Sequence, residues 1–143
     1  MRTLEVTLKT ISYILISLVL VLAVLLAAGA AWWFQSPWAV GEDYRVALVR
    51  VGMELENVTE QVDTEALAVL LQGQTRGRFR RQFAPTRLTE ATVDITGMDS
   101  RGHWHFMLDM ETQVVYDSAE KGGWPIRNGE ALLREIWDIL NAE

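Results

Sequence analysis

The chain has 143 residues, half of them hydrophobic, and a formal net charge of −6 at pH 7. Proteins bind nucleic acid largely through basic side chains that contact phosphates, so an acidic chain of this size is a poor candidate for such binding. The chain has no cysteine, which excludes disulfides, thiolate nucleophiles and cysteine metal sites together.

An uncharged apolar run covers residues 11–34 and ends in Trp32, Trp33 and Phe34. As an α-helix this run would be roughly 36 Å long, which is enough to cross a hydrocarbon core of about 30 Å. The sequence therefore predicts a transmembrane helix over residues 11–34, preceded by a short N-terminal flank of residues 1–10.

A cleaved signal peptide is the alternative interpretation of this run. Lys9 precedes the apolar residues, and the small residues at 28–30 resemble a cleavage site. The apolar core of a signal peptide usually has about 7–15 residues, and this run is longer. Its length favours an uncleaved anchor.

Small side chains cluster toward one end of the predicted helix. Ala23, Ala27 and Ala31 recur every four residues, and Gly29 lies at the same end. Small residues allow two helix backbones to approach closely in lipid, although alanine is also common in any apolar span. We predict that these four residues pack against a helix of an integral membrane protein subunit.

Aromatic and basic residues predict how the helix is placed in the membrane. Trp32, Trp33 and Trp38 are expected at the membrane interface, where amphipathic rings lie among lipid head groups. The short N-terminal flank carries Arg2 and Lys9, which favours a cytoplasmic N-terminus. The rest of the chain would then lie in the periplasm of a bacterium, anchored in the inner (cytoplasmic) membrane.

The part beyond the membrane, residues 35–143, has the length of one domain. It contains eleven basic and eighteen acidic residues, which gives a formal charge of −7. In the whole chain only Lys9 and Lys121 are lysine, and such a bias toward arginine is typical of GC-rich bacterial genomes. We therefore predict an acidic extracytoplasmic domain.

The first part of this domain fits two patterns. Residues 42–57 alternate apolar and polar side chains like a half-buried strand, and they also carry an apolar stripe with helical spacing, so periodicity does not decide between the two. Thr59 is a candidate N-cap of a helix that stops near Gly73. The predicted apolar face of that helix consists of Val62, Ala66, Leu67, Val69, Leu70 and Leu71.

Three short strands and a C-terminal helix follow. Residues 91–96 and 103–109 are typical of strands joined by turn formers, and residues 114–116 of a third strand. Asn128 is a favoured N-cap for the last helix. The apolar face of that helix consists of Leu132, Leu133, Ile136, Trp137 and Leu140. The predicted fold is α+β, with a short antiparallel β-meander packed against amphipathic helices, because three strands cannot leave both faces in water.

Two histidines are the candidates for metal binding. His103 and His105 lie two residues apart on a predicted strand, so their rings point to the same face, a geometry that suits two metal ligands. A site needs a further ligand, for which Asp94, Asp109 and Asp117 are candidates. Two histidines that flank a tryptophan are more often ordinary surface or interface residues. We therefore predict no metal and no other cofactor.

Five arginines lie within twelve residues of the otherwise acidic domain, interleaved with Phe79 and Phe83. They are Arg76, Arg78, Arg80, Arg81 and Arg87. Arginine binds phosphates and carboxylates through paired hydrogen bonds, so this segment is a candidate contact for a partner protein or for lipid head groups. The alternative is a solvated basic face that the acidic residues of the domain balance.

One segment resembles a known family. In the closing hairpin of PepSY-type periplasmic domains a strand ends in Asp, and Thr-Gly and then Val follow. Asp109, Thr112 and Val114 match these places over the thirteen residues 104–116, with Gln113 in place of the glycine. The resemblance implies an extracytoplasmic location and a non-enzymatic role in interactions.

Patterns typical of catalysis are weak in this sequence. The serines lie in no nucleophile motif, and no glycine-rich phosphate loop follows a strand. We therefore predict a non-enzymatic, single-pass accessory or assembly subunit of a larger bacterial membrane complex, which acts by contacts with integral membrane protein subunits and membrane lipids. The alternative is a membrane-anchored, PepSY-like periplasmic module that binds a ligand or inhibits an enzyme.

Overall fold

The computed structural model describes residues 1–83, 87–117 and 122–142, in two compact units, Met1–Gln35 and Ser36–Glu143. The first unit is helix α1 (Arg2–Phe34), which has 33 residues, none of them buried within the protein. Helix α1 is long and apolar enough to cross a membrane, and a signal sequence near an N-terminus has the same properties.

The polar flank before the apolar run is part of the same helix. The hydroxyl of Thr7 donates to the carbonyl oxygen of Thr3, and the hydroxyl of Thr10 donates to the carbonyl oxygen of Val6. Both threonine side chains therefore hydrogen-bond to the helix backbone one turn earlier. The helix ends at Phe34 because Gln35 adopts an extended conformation two residues before Pro37.

The second unit is built on an antiparallel sheet. Within the described residues its strands are β1 (Arg45–Val51), β2 (Glu56–Asn57), β3 (Val93–Asp99), β4 (Gly102–Leu108), β5 (Gln113–Asp117) and β6 (Gly123–Pro125). Their order across the sheet is β2-β1-β3-β4-β5-β6. The second unit is therefore α+β, and its sheet is wider than the predicted meander, which corresponds to β3, β4 and β5.

Backbone pairing decides two points that the sequence pattern left open or misplaced. The ambiguous residues 42–57 form β1 and β2, because β1 pairs along its length with β3; Gly52 and Leu55 make the turn with positive φ angles. The predicted loop over residues 97–102 was too long. The ladder between β3 and β4 continues through these turn-forming residues to the pair Asp99 and Gly102, since pairing outweighs local propensity.

Helices α2 (Thr64–Gln72) and α3 (Gly129–Leu140) cover one face of the sheet. The buried cluster between the two layers combines side chains of the central strands with side chains of both helices. Its fully buried members include Ile95, Phe106 and Leu108 from the sheet, and Leu67, Leu71 and Ile136 from the helices. This core holds the sheet in register and fixes the positions of residues on its rim.

Helix α2 differs from its prediction in both cap and apolar face. Its N-cap is Asp63, whose carboxylate accepts a hydrogen bond from the Ala66 N–H at 2.9 Å. The predicted cap, Thr59, instead accepts from the Val49 N–H at 2.9 Å, within a 3₁₀ turn. Val69, predicted to be in the core, is 67% exposed, because the buried side of α2 is the side that packs against β1.

Helix α3 buries Leu132, Leu133 and Ile136, which belong to its predicted apolar face. The half-buried Trp137 donates its indole N–H to the carbonyl oxygen of Ala91 at 3.2 Å. Asn128 occupies the predicted N-cap position, with a left-handed backbone conformation at φ of 54° and without a side-chain cap hydrogen bond. Asparagine tolerates this conformation better than most residues.

Gly97 is where the sheet has no room for a side chain. A Cβ on Gly97 would lie 2.6 Å from the hydroxyl of Tyr44, which is 1% exposed, and closer still to the carbonyl oxygen of Arg45. We expect Gly97→Ala to lower the free energy of unfolding by about 1–3 kcal/mol through overpacking. Chemical denaturation measures this, with Gly73→Ala as control because a Cβ there would make ordinary contacts. Equal stability of the two variants would contradict the expectation.

Candidate functional site

The arginine-rich segment pairs with β6 at the edge of the sheet. The N–H of Gly77 donates to the carbonyl oxygen of Pro125 at 2.8 Å, and the N–H of Arg81 donates to that of Gly123 at 2.8 Å. The N–H of Gly123 donates in return to the carbonyl oxygen of Arg81 at 3.0 Å. Backbone hydrogen bonds to β6 therefore hold the segment in place.

The same segment also pairs with the chain that follows α1. The N–H of Arg76 donates to the carbonyl oxygen of Pro37 at 2.9 Å, and Trp38 forms an antiparallel bridge with Thr75. Pro37 is the third residue after Phe34. The segment is thus tied by hydrogen bonds to the first residues of the second unit.

Three arginines and two tryptophans form an Arg–Trp cluster. The rings of Trp104 and Trp124 lie with centroids 6.0 Å apart and planes inclined by 50°. The guanidinium carbons of Arg76 and Arg80 lie 4.0 and 4.9 Å from the Trp124 centroid, and that of Arg101 lies 5.2 Å from the Trp104 centroid. These distances suit cation–π contacts, each stabilising by about 0.5–2 kcal/mol.

Asp99 fixes one side of the Arg–Trp cluster. Its carboxylate accepts hydrogen bonds from the Trp104 indole N–H at 2.8 Å, from the Gly41 N–H at 2.6 Å and from the Arg101 guanidinium at 3.1 Å. Burial raises the pKa of Asp99, but the hydrogen bonds from Gly41, Trp104 and Arg101 outweigh it and hold the pKa below its ordinary value. Asp99 therefore stays ionised and orients Arg101 over the tryptophan.

Arg76 has no such carboxylate partner among the described residues. Its Nε atom is buried and makes no hydrogen bond within the described part of the chain, while one terminal nitrogen donates to the Gly77 carbonyl oxygen at 3.3 Å. Burial, and then the positive charge of Arg101, lower the pKa of Arg76. Because an arginine stays protonated in proteins, the result is a partly buried cation beside a second cation.

The other predicted arginines lie outside the Arg–Trp cluster. Arg81 and Arg87 are exposed, and Arg78 is half-buried. Arg87 follows residues 84–86, which lie outside the described residues. The structure thus brings together Arg76 and Arg80 of the five predicted arginines and adds Arg101.

His105 forms a second polar group, the Arg50–Asp94–His105 network, on the face of the sheet opposite the helices. The Asp94 side chain is buried; its carboxylate accepts a hydrogen bond from Arg50 Nε at 2.7 Å and contacts Nε2 of His105. The ring of Tyr116 lies 5.4 Å from the imidazole between centroids. The network compensates a buried charge with two cationic or hydrogen-bonding side chains.

The remaining metal candidates do not join this network. His103 is exposed and lies opposite Met98 in the ladder, and Asp117 lies opposite Trp104. Asp109 is buried in the turn between β4 and β5, where it accepts from the N–H of Glu111 at 2.8 Å. Among the described residues, no group of three or more His, Asp or Glu is placed to hold a metal ion.

The predicted membrane residues lie on α1 and just after it. Ala23, Ala27 and Ala31 follow one side of the helix by their four-residue spacing, and a Cβ on Gly29 would meet no atom within 4 Å. The tryptophans predicted at the interface are largely exposed: Trp32, Trp33 and Trp38. The role of the small residues in helix packing and that of the tryptophans at the membrane interface stay predictions.

Sequence reasoning missed Arg101 and the pairing of Arg50 with Asp94. Arg101 lies in the tight turn between β3 and β4, and only the register of that hairpin brings it to Trp104. Arg50 and Asp94 are opposite each other across β1 and β3. For Arg50 and Asp94 a usable signal was present, since each is a charged residue between two β-branched apolar residues.

An open groove of about 570 Å³ lies between β1 and α2. Its lining residues are Tyr44, Arg45, Val46, Thr64, Glu65, Ala68 and Val69. The volume falls in the range of about 300–1,000 Å³ that is common for small-molecule sites.

Comparisons of this chain with protein-family models, with curated proteins and with solved structures found no match.

Proposed function

We propose that the protein is a single-pass accessory or assembly subunit of a larger bacterial membrane protein complex, acting by contacts with protein subunits and lipids rather than by catalysis. The observation that carries this proposal is helix α1, 33 apolar-rich residues that contribute no buried residue to the protein itself. An apolar surface of that size needs lipid or another protein to cover it.

In this proposal α1 spans the inner membrane with its N-terminus in the cytoplasm, and residues 35–143 lie in the periplasm. The side of α1 that carries Ala23, Ala27 and Ala31 packs against a helix of a partner subunit, because small residues permit close backbone approach. The signal-sequence alternative predicts a mature chain without residues 1–30, so the intact mass of the membrane-extracted protein separates the two.

Extraction in mild detergent followed by native electrophoresis tests the subunit role. We expect the wild type to comigrate with a large assembly. Ala27→Phe should release it, because the ring would block close helix approach. Leu25→Phe is the matched control, since two residues at 100° each place it on the opposite side of α1. A wild-type chain that migrates as a small free species would overturn the proposal.

The groove between β1 and α2 favours a second function, a membrane-anchored module that binds a small periplasmic ligand. The groove has a suitable volume, and Arg45 and Glu65 offer charges of both signs at its wall. This function predicts a freely migrating anchored protein, whose thermal transition rises when the ligand is added. Comigration with a large assembly favours the subunit role instead.

A further inference from the structure

One cation of the Arg–Trp cluster, Arg76, has no carboxylate partner among the described residues. Asp99 is occupied by Arg101, Trp104 and the Gly41 N–H, whereas no carboxylate of the described residues lies within ion-pair distance of Arg76. Burial and then the positive charge of Arg101 lower the pKa of Arg76, because like charges repel each other. A bound anion would offset that repulsion by accepting hydrogen bonds from both guanidinium groups.

The geometry of the cluster suits a phosphate group. Guanidinium groups bind phosphate oxygens through two parallel hydrogen bonds. Contact with Trp124 holds the guanidinium groups of Arg76 and Arg80 in place, and Trp104 and Asp99 hold that of Arg101. Groups fixed in advance lose less conformational entropy when a ligand binds.

The backbone of Arg76 is bonded to a residue that follows α1 closely in the sequence. Its N–H donates to the carbonyl oxygen of Pro37, the third residue after Phe34. If α1 spans the membrane, the chain at Pro37 has just left the hydrocarbon core and lies near the lipid head groups. Phosphates of membrane lipids are then the nearest abundant anions.

We propose that Arg76 and Arg101, supported by Arg80 on the Trp104–Trp124 pair, bind a phosphate group, supplied by the head group of an anionic membrane lipid. The lipid source rests on the proposed membrane anchoring of α1. The phosphate chemistry itself depends only on the residues of the cluster. A free phosphate ion is the other source of the same chemistry.

The test uses the full chain in nonionic detergent micelles. Native mass spectrometry counts bound dioctanoyl phosphatidylglycerol, with dioctanoyl phosphatidylcholine as the neutral lipid, and calorimetry measures inorganic phosphate. We expect wild type to bind one phosphatidylglycerol, and the double variant Arg76→Gln/Arg101→Gln to bind it about tenfold or more weakly. The matched control is Arg134→Gln, an exposed arginine on α3, which should stay within about twofold.

Two further measurements keep the result decisive. A cooperative thermal transition shows that the double variant is folded. The single variant Arg76→Lys keeps the positive charge but loses the paired hydrogen bonds, so it should weaken binding of phosphatidylglycerol on its own. Binding of inorganic phosphate without phosphatidylglycerol would overturn the lipid source. Equal lipid binding by wild type and both variants would overturn the site. Comigration in native electrophoresis judges the subunit role separately, so the two proposals fail independently.

Discussion

A chain that stops at Asn128 is expected to lose the cooperative unfolding transition of the second unit, because it lacks α3. This helix buries Leu132, Leu133 and Ile136 and half-buries Trp137 and Leu140. At about 1.5–3 kcal/mol per large side chain, their burial contributes roughly 10 kcal/mol before conformational entropy. The net stability of a whole domain is only about 5–15 kcal/mol. Near-UV circular dichroism during thermal unfolding measures the transition without interference from the helicity of α1.

Point variants on α3 test the effect of side-chain packing without removing the helix. Ile136→Ala, at a position that is 0% exposed, should cost about 2–5 kcal/mol. Glu135→Ala, at the exposed neighbouring position, should change stability by less than about 0.5 kcal/mol. A truncated chain with an unchanged cooperative transition would show that α3 is not part of the core.

The parts of the fold that local pattern encodes were predictable. The apolar face of α3 repeats with the helical period, so Leu132, Leu133 and Ile136 could be placed in the core from the sequence. Residues 42–57 satisfied two periods at once, and only pairing with β3 selected the strand. Strand β6 has three residues in a stretch rich in helix and strand breakers, and one of its partners, the arginine-rich segment, is distant in sequence.

The candidate site was also predictable only in part. The composition of residues 76–87 predicted all five arginines as contacts, because five cations in an acidic domain are unusual. The Arg–Trp cluster contains two of them, Arg76 and Arg80. Their contact with Trp124 and the approach of Trp104 depend on the strand order β4-β5-β6. Spacing in the sequence carries no information about such an order. The same limit hid Arg101, which only the hairpin register brings to the cluster.

In the Arg50–Asp94–His105 network, loss of Arg50 should lower the stability of the second unit more than loss of Asp94. The side chain of Asp94 is 0% exposed, whereas those of Arg50 and His105 are 35% and 27% exposed. Loss of Asp94 leaves two side chains that can turn toward water. Loss of Arg50 leaves a buried carboxylate with one partner fewer, and breaking a buried pair in this way costs about 3–5 kcal/mol.

We therefore expect Arg50→Leu to destabilise the second unit by about 3 kcal/mol, at the low end of that range because His105 still contacts the carboxylate. The double variant Arg50→Leu/Asp94→Leu should be more stable than Arg50→Leu alone, since it no longer buries an undercompensated charge. Chemical denaturation of the four chains in this double-mutant cycle measures the coupling, with Arg134→Leu as an exposed control. If Arg50→Leu costs no more than Arg134→Leu, then Asp94 does not depend on Arg50, and the buried carboxylate must be stabilised by His105 and the surrounding backbone.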